Sequence, residues 1–590
     1  MKYKLRKNFT TNPQNALQEI LSDRGVTDLT NFMYPTKACE LNPYDLQNVT
    51  QGAELLLSHL RKGNKLLFVV DCDTDGFTSS AILWLYIKHI FPAALLEFTV
   101  HTHKQHGLDD KIDWIEGDCD CDLVVVPDAG SYDVEEHRRL NAAGIDCLVI
   151  DHHEQLYDPA GNPVVSDAPR TIVINNQLSP AYENKSLCGA GMVYKFCEVL
   201  DDILGIKQAN YYMDLAALGE IADVMDRRTA ETNYIMINGL EHIKNEGFQT
   251  LLEAQKFKLQ EKAVPPFTGL SPIDVAFYIA PLINAITRVG TLEEKRAMFY
   301  CFIEPHKELQ STKRGAKSGE VEYAAEQAAR VGKNAKARQD KLKEKAIGTI
   351  DFKIQKDGLN DNNILIVEID DSDDIQQELT GLIAMAMVNK YHKPCMIGRR
   401  NSANEIAGSI RSNGNFAGLP SFKKFLEESS LMKYTAGHDN AAGWGVDGSK
   451  IEALLQYANE HLHAEDFENC YTVDYILDAQ DDNADLVGAL SEKPEYFGNH
   501  IDEIKFVVKD IPLANVMPMG AERSSIKISC SGIDYIKFKD SDFVQKIMSN
   551  RTKKLTVYGS GNVNVFNGRK SIQIFIEDYE LTDGGSKYDF

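Results

Sequence analysis

The chain has 590 residues, 43% of them hydrophobic, and a formal net charge of −24. That length supports several buried cores and about three or four domains. No apolar run reaches about 18 residues and the opening MKYKLRKNFTTN has no hydrophobic signal core, so a cytoplasmic protein without membrane attachment is expected. The acidic balance argues against a nucleic-acid partner in bulk, but a local basic groove survives inside such a count. The 11 cysteines form no disulfide framework; Cys119 and Cys121 stand two apart without a second pair to complete a zinc site, so reduced structural thiols are expected.

Residues 1–60 read as a polar helical segment. From Leu66 an apolar, β-branched run to Val70 predicts a buried strand, followed by Asp71, Asp73 and Asp75 at every second residue, then Gly76 and the apolar helix AILWLYIKHIF. Alternate residues of an extended segment point the same way. Three acids converging at a strand end raise one another's pKa, and a divalent cation between them resolves the repulsion. Thr78, Ser79 and Ser80 are placed to cap the helix, which would aim backbone N–H groups at the same spot and set an anion site beside the cation. An EF-hand loop also begins D-x-D-x-D-G, but it needs a glutamate at its twelfth position, where Ile82 stands, and it follows a helix. A solvated acidic turn is the other competing reading.

The strand–helix rhythm then repeats through ALLEFTV (94–100), DLVVVPDAG (122–130), DCLVIDHHE (146–154) and TIVINNQ (171–177), with a helical stretch at Val134–Ala143. Apolar strands alternating with helices predict a parallel sheet with helices on its faces, and ligands bind beyond the carboxyl ends of such strands. Asp128 ends one strand and Asp151-His152-His153 another, while LAALGEIADVMD puts Asp223 at the close of a helix beginning near Met213. A single Asp at a strand end is commonly a turn or cap residue; several at equivalent ends, joined by paired histidines, point to a site.

The ordered set DCDTDG, VVVPDAG, IDHHE and GEIADVMD resembles motifs I to IV of the DHH phosphoesterase superfamily. Further segments resemble its RecJ branch of single-strand-specific exonucleases: VINNQLSP with LCGAGMVYKF, APLINAITRVG (280–290), and AGSIRS with AGHDNAAGWGV, which is similar to a DHHA1 domain. The sequence departs from that pattern at Ala436, where a Gly is usual, at Glu220, where a Thr is usual, and at the Ala-Ile-Thr-Arg stretch. The resemblance implies an α/β chain with a DHH domain (61–305) built on a parallel sheet and a long connecting helix (306–346). Beyond these it implies a DHHA1 α/β domain (347–465) and a C-terminal OB-like β-barrel (466–590).

It further implies two divalent ions, Mn²⁺ or Mg²⁺, on Asp71, Asp73, Asp75, Asp128, His152 and Asp223, with Asp128 bridging and His153 facing the phosphate or leaving oxygen as cation or general acid. Carboxylates and imidazoles without thiolate suit those ions. A hydrogen bond to a neighbouring strand end is the structural alternative for His153. Arg288, Arg411, Ser412 and His438 are the implied nucleic-acid contacts. The segment 306–346, rich in Ala, Lys and Glu and interrupted by Gly315, Gly319 and Gly332, reads as one helix whose basic residues, Lys333 to Lys345, either line a strand path or are merely solvated. In the tail, Lys537, Phe538, Lys539, Phe566, Arg569 and Lys570 are placed either to engage single strands or to fill a barrel core.

The resulting expectation is a metal-dependent exonuclease degrading single-stranded DNA to mononucleotides in the 5′ to 3′ direction, as a monomer, with a single-strand-binding protein as a possible partner by analogy. The alternatives are a phosphodiesterase for cyclic dinucleotides or short RNA, whose relatives carry a His where Val69 stands, and a non-catalytic DNA-binding replication scaffold.

Overall fold

The computed structural model describes residues 1–583, apart from Lys104, 159–160 and 567–568 and the side chain of Phe566. The chain divides into two compact units: residues 21–339 with 494–502, and residues 1–20, 340–493 and 503–590.

In the first unit, strands β1 (Lys65–Val70), β2 (Leu95–Val100), β3 (Leu123–Pro127), β4 (Asp146–Asp151) and β5 (Thr171–Asn175) form an all-parallel sheet in the order β2-β1-β3-β4-β5. Alternation along β1 explains its burial on both sides. Leu66, Phe68 and Val70 join a large core with Trp84 and Phe299, while Leu67 and Val69 pack with Val124, Val126 and Val149 on the opposite face. Helices α1 (Thr74–Ile90), α2 (Gly189–Leu204) and α3 (Met213–Ala222) line the first face, so the carboxyl ends of β1, β3 and β4 meet the ends of α1, α2 and α3.

The opening segment is more than a polar helix. Lys2–Leu5 is a strand of the second unit, paired in parallel with Cys470–Val473, and Val49–Lys62 is a core helix of the first. Val49, Ala53, Leu56, Leu57 and Leu60 recur on one face of that helix and are buried, a period that the surrounding polar residues dilute. It ends at Gly63, whose φ of 72° lets its N–H reach the carbonyls of His59 and Leu60.

The predicted helix over 306–346 is replaced at its start by a hairpin, Glu308–Gln310 with Val321–Tyr323. Gly315 and Gly319 both take left-handed φ (85° and 82°), and Ser311 donates to the buried Glu322, which fixes the turn despite a helix-favouring composition. The helix proper runs Ala324–Lys356, beyond the predicted end, because Ile350 and Ile354 extend its buried face past Gly348. Hydropathy alone marks Pro272–Val289 as long and apolar enough for a membrane span, but half of it is buried and it comprises two short helices, Pro272–Tyr278 and Ala280–Val289.

The second unit holds a five-stranded mixed sheet, Met432–His438, Ala441–Asp447, Glu405–Arg411, Cys395–Arg400 and Leu365–Ile369 in spatial order. It also holds a seven-stranded sheet built from segments between Tyr475 and Thr582, the OB-like part. Phe538 is 56% exposed there, which removes it from the barrel core, and Lys570 pairs with Glu492 at 2.9 Å.

Residues 494–502 leave the strand-rich part of the chain and pack into the first unit. Arg227, fully buried, donates to the carbonyls of Glu495 (2.7 Å) and Phe497 (3.1 Å) and to Asn233 Oδ1 (3.1 and 2.7 Å). Burial outweighs the opposing charge of Glu495 and pulls the guanidinium pKa down to about 9. Arg227→Ala would strand those acceptors, so we expect a stability loss of about 3 kcal/mol, read as a lowered denaturation midpoint with unchanged m-value.

Candidate active site and metal centre

Asp71 follows the last residue of β1 and is 1% exposed. Asp73 is the N-cap of α1: its carboxylate accepts from Gly76 N at 3.0 Å, so the helix begins at Thr74, earlier than predicted. Thr78 and Ser79 therefore lie inside the helix and donate back to carbonyls of its first turn rather than capping it. Asp75 is helical, so the alternation argument stops at Asp73. Its carboxylate is gathered instead by the N-terminus of α2, accepting from Gly189 N (2.6 Å) and Ala190 N (2.8 Å). The helix N-terminus expected to face a ligand anion thus holds a side chain of the site. Gly76 is needed for proximity: a Cβ there would stand 2.8 Å from the Asp71 backbone.

Asp128 sits past β3 with φ 73°, a left-handed conformation that turns its carboxylate inward. His152 Nε2 lies 3.2 Å from Asp128 Oδ1, 3.7 Å from Asp223 Oδ2 and 3.8 Å from Asp75 Oδ2. Asp223 caps the C-terminus of α3. Asp151, by contrast, organises its neighbours: it accepts from His152 N (2.7 Å), Ser131 N (3.0 Å) and His153 Nδ1 (2.7 Å).

The electrostatics follow from burial and crowding. Desolvation, reinforced by the charges of Asp75, Asp73 and Asp71, pushes Asp128 well above the carboxylate range. Burial pushes Asp71 up to about 6 against the His106 hydrogen bond, and burial with Asp75 and Asp73 pushes Asp223 up to about 8. Burial lowers His152. For His153 burial also acts downward, but the Asp151 bond and charge outweigh it and raise the imidazole to about 9. That bond to Asp151 is the structural alternative anticipated for His153, yet the ring remains 48% exposed and cationic at neutral pH.

Three groups of side chains bring their ligand atoms within 4.8 Å of one another: Asp71, Asp73 and His106; Asp75, His152 and Asp223; Asp128, His152 and His153. Among the described residues, Asp71 Oδ1 and Asp128 Oδ1 are buried oxygens that accept no hydrogen bond. The thiols of Cys72 and Cys188 are held protonated by burial, leaving an oxygen and imidazole donor set. Crowded carboxylates with orphaned oxygens and no thiolate fit hard divalent cations.

A cavity of about 190 Å³ opens onto this cluster, lined by Asp73, Asp75, Asp223, Asn284 and Arg288. Arg288 thus stands with the acids as a candidate anion contact; burial lowers its pKa while Asp73 opposes the shift. Arg411, Ser412 and His438 belong to the second unit, at the ends of the two strands that flank Ala441–Asp447 in the five-stranded sheet; among the described residues Ser412 Oγ is buried without a hydrogen bond.

Sequence reasoning missed His101, His106 and the buried part of Glu220. His106 Nδ1 is 2.5 Å from Asp71 Oδ2, and the three histidines of HTHKQH, just past β2 at the ligand-binding end of the sheet, were the available signal. Glu220 is fully buried beside Asp75, which pushes its pKa far up, and it accepts from Cys188 N.

Steric closeness sets a further expectation. A Cβ on Gly189 would stand 2.4 Å from Asp128 Cβ and Oδ1. Gly189→Ala therefore displaces Asp128 without altering charge, and we expect at least a tenfold fall in divalent-cation affinity, measured by calorimetry.

Residues 65–220 match the N-terminal domain of the DHH family, and residues 473–578 match the RecJ OB domain. The chain is 34% identical over 96% of both lengths to YorK of Bacillus subtilis (strain 168), a prophage-derived protein named for single-strand DNA-specific exonuclease activity. It is 22% identical to the single-stranded-DNA-specific exonuclease RecJ of the same organism, over 94% of this chain and 66% of that one. In fold it is similar to RecJ from Thermus thermophilus in complex with Mn²⁺, with TM-score 0.69 and 20% identity over 99% of this chain and 79% of that chain.

Proposed function

The chain belongs to the RecJ family of DHH phosphoesterases, and on that premise we propose that it hydrolyses single-stranded DNA from the 5′ end, releasing mononucleotides. One observation carries the reading: Asp71, Asp73, Asp75, Asp128, His152 and Asp223 converge with two orphaned buried carboxylate oxygens beside a cationic histidine. Those six residues would hold two divalent cations of the Mn²⁺ or Mg²⁺ type; such ions would supply Lewis acidity toward a phosphoryl oxygen and lower the pKa of the attacking water.

The chain's own groups do the rest. Asp151 holds His153 by Nδ1, so the imidazolium presents Nε2–H outward, where it donates to a phosphate or leaving oxygen. Asn175 and Tyr132 fix the His153 carbonyl at 3.1 and 3.2 Å, which limits how far the ring can drift. Arg288, which lines the cavity, neutralises a substrate phosphate. Arg411, Ser412 and His438 hold the strand's backbone from the DHHA1-like sheet, and exposed Phe538 with its flanking lysines offers a base a stacking face.

The test is digestion with Mn²⁺ of single-stranded DNA labelled separately at each end, alongside duplex DNA and a cyclic dinucleotide. Immediate release of the 5′-terminal mononucleotide from the single strand supports the proposal. Cleavage of the dinucleotide alone makes the chain a small-nucleotide phosphodiesterase, and binding of DNA without cleavage makes it a scaffold.

A further inference from the structure

Asp223 stands where α3 ends, and the last carbonyls of an α-helix have no partner within it. The chain leaves that end by a strained turn. Val224, next in sequence, takes φ 57°, a left-handed conformation that glycine usually supplies and that a β-branched residue adopts only when its surroundings hold it there. Its side chain is 52% exposed, so packing of that side chain does not account for the turn. The Met225 N–H reaches back to the Glu220 carbonyl at 3.0 Å, closing the turn around Asp223.

A segment from far along the chain meets this turn. Asn499, buried, donates its side-chain amide to the carbonyls of Glu220 (3.1 Å) and Ile221 (3.4 Å), and its own carbonyl accepts from Arg227 N (3.5 Å). One residue thus grips the chain on both sides of Asp223. Asn499 and His500 both take left-handed φ (47° and 71°), and Asn and His are among the residue types enriched there after glycine. The rest of the segment is anchored too. Arg227 holds the carbonyls of Glu495 and Phe497, Arg24 donates to the Asp502 carbonyl at 3.2 Å, and the Tyr496 ring lies 6.0 Å from that of Phe32. A plain connector crossing the same surface would need neither two left-handed residues nor a buried amide bonded to helix carbonyls.

We propose that Asn499 is a positioning residue for Asp223: by holding the last turn of α3 it keeps that carboxylate beside His152, 3.7 Å away, and makes residues 494–502 part of the metal centre. The inference rests on the reading of Asp223 as a cation ligand and goes beyond it. Asn499 acts through the backbone that carries the ligand, as outer hydrogen bonds orient metal ligands generally. Coupling of this kind is reciprocal, so a cation on Asp75, His152 and Asp223 tightens the docking of 494–502 by the factor by which docking tightens the cation.

The test is Mn²⁺ binding by the full-length chain, measured by calorimetry on wild type and Asn499→Gly, with hydrogen exchange of residues 494–502 followed with and without Mn²⁺. Glycine keeps the φ of 47° and removes only the amide. Asn499→Gly should keep one tight Mn²⁺ and weaken the other at least tenfold, and kcat should fall while KM for the strand changes little. In wild type, Mn²⁺ should slow exchange of 494–502 more than that of Glu246–Glu253, a helix of the same unit. A lowered melting midpoint with both Mn²⁺ affinities intact, or a loss spread evenly over the two, would overturn the proposal and leave Asn499 a structural residue, with Asp223 still a ligand. Exchange slowed equally in the two segments would also overturn it, and that arm needs no variant to fold. Wild type that takes up no Mn²⁺, or Asp223→Asn that binds both ions as tightly as wild type, would overturn the ligand reading and the proposal with it.

Discussion

Asp128→Asn should lose hydrolysis by on the order of 10³-fold while remaining at least as stable as wild type without metal. Both halves follow from its setting. The carboxylate lies in the cluster, its Oδ1 3.2 Å from His152 Nε2 and accepting no hydrogen bond among the described residues, so its charge is available to a cation. The fold opposes that charge, through burial and through Asp75, Asp73 and Asp71. Asparagine keeps the shape, tolerates the φ of 73° and removes the charge. A variant inactive because it is misfolded would instead melt well below wild type; turnover and melting measured on one preparation separate the two.

Chelation with EDTA should abolish turnover, and the stability it removes should depend on pH. Asp71 and Asp223 have folded pKa values raised to about 6 and about 8, and His153 to about 9. A raised folded pKa means that the group's contribution is fully present below its unfolded value, near 4 for the acids and 6.5 for His, and is lost as pH rises through the folded value. All three act in one direction; His101 and His137, lowered to about 4 by burial, oppose them only below about pH 6.5, so from there to about pH 9 the metal-free chain should lose melting temperature. A bound cation favours the ionised carboxylates, so the gain in melting temperature on adding Mn²⁺ should widen between about pH 6 and pH 8, with proton release on binding. In the metal-loaded enzyme, activity should fall above about pH 9 as His153 loses its proton. A Mn²⁺-induced shift that is constant with pH would contradict the assignment of these carboxylates to the cation.

Much of this was legible because it is local. The strands ending at Val70, Pro127 and Asp151 announce themselves as apolar runs, and the acids and histidines just past them fall where a parallel sheet exposes ligands. Geometry at the turns was less legible. The spacing of Asp71, Asp73 and Asp75 suggested one extended row, yet Asp73 caps a helix and Asp75 enters it, because a capping carboxylate satisfies N–H groups that the strand would leave unpaired. Alanine and lysine content over 306–346 concealed a hairpin whose two left-handed glycines carry the decisive information.

Long-range contributions were invisible. His106 reaches Asp71 across 35 residues with no spacing rule to predict it. Asn499, some 280 residues downstream, donates to the carbonyls of Glu220 (3.1 Å) and Ile221 (3.4 Å) at the end of the helix that presents Asp223. Glu220 was noted only as a departure from a familiar pattern, whereas its burial beside Asp75 makes it part of the electrostatic floor of the site.

The most direct measurement is anomalous diffraction from crystals of the chain soaked in Mn²⁺. Two peaks are expected about 3.5–4 Å apart, one within reach of Asp71 and Asp73, the other among Asp75, His152 and Asp223, with Asp128 between them. Peaks elsewhere, or none among these side chains, would contradict the two-cation reading.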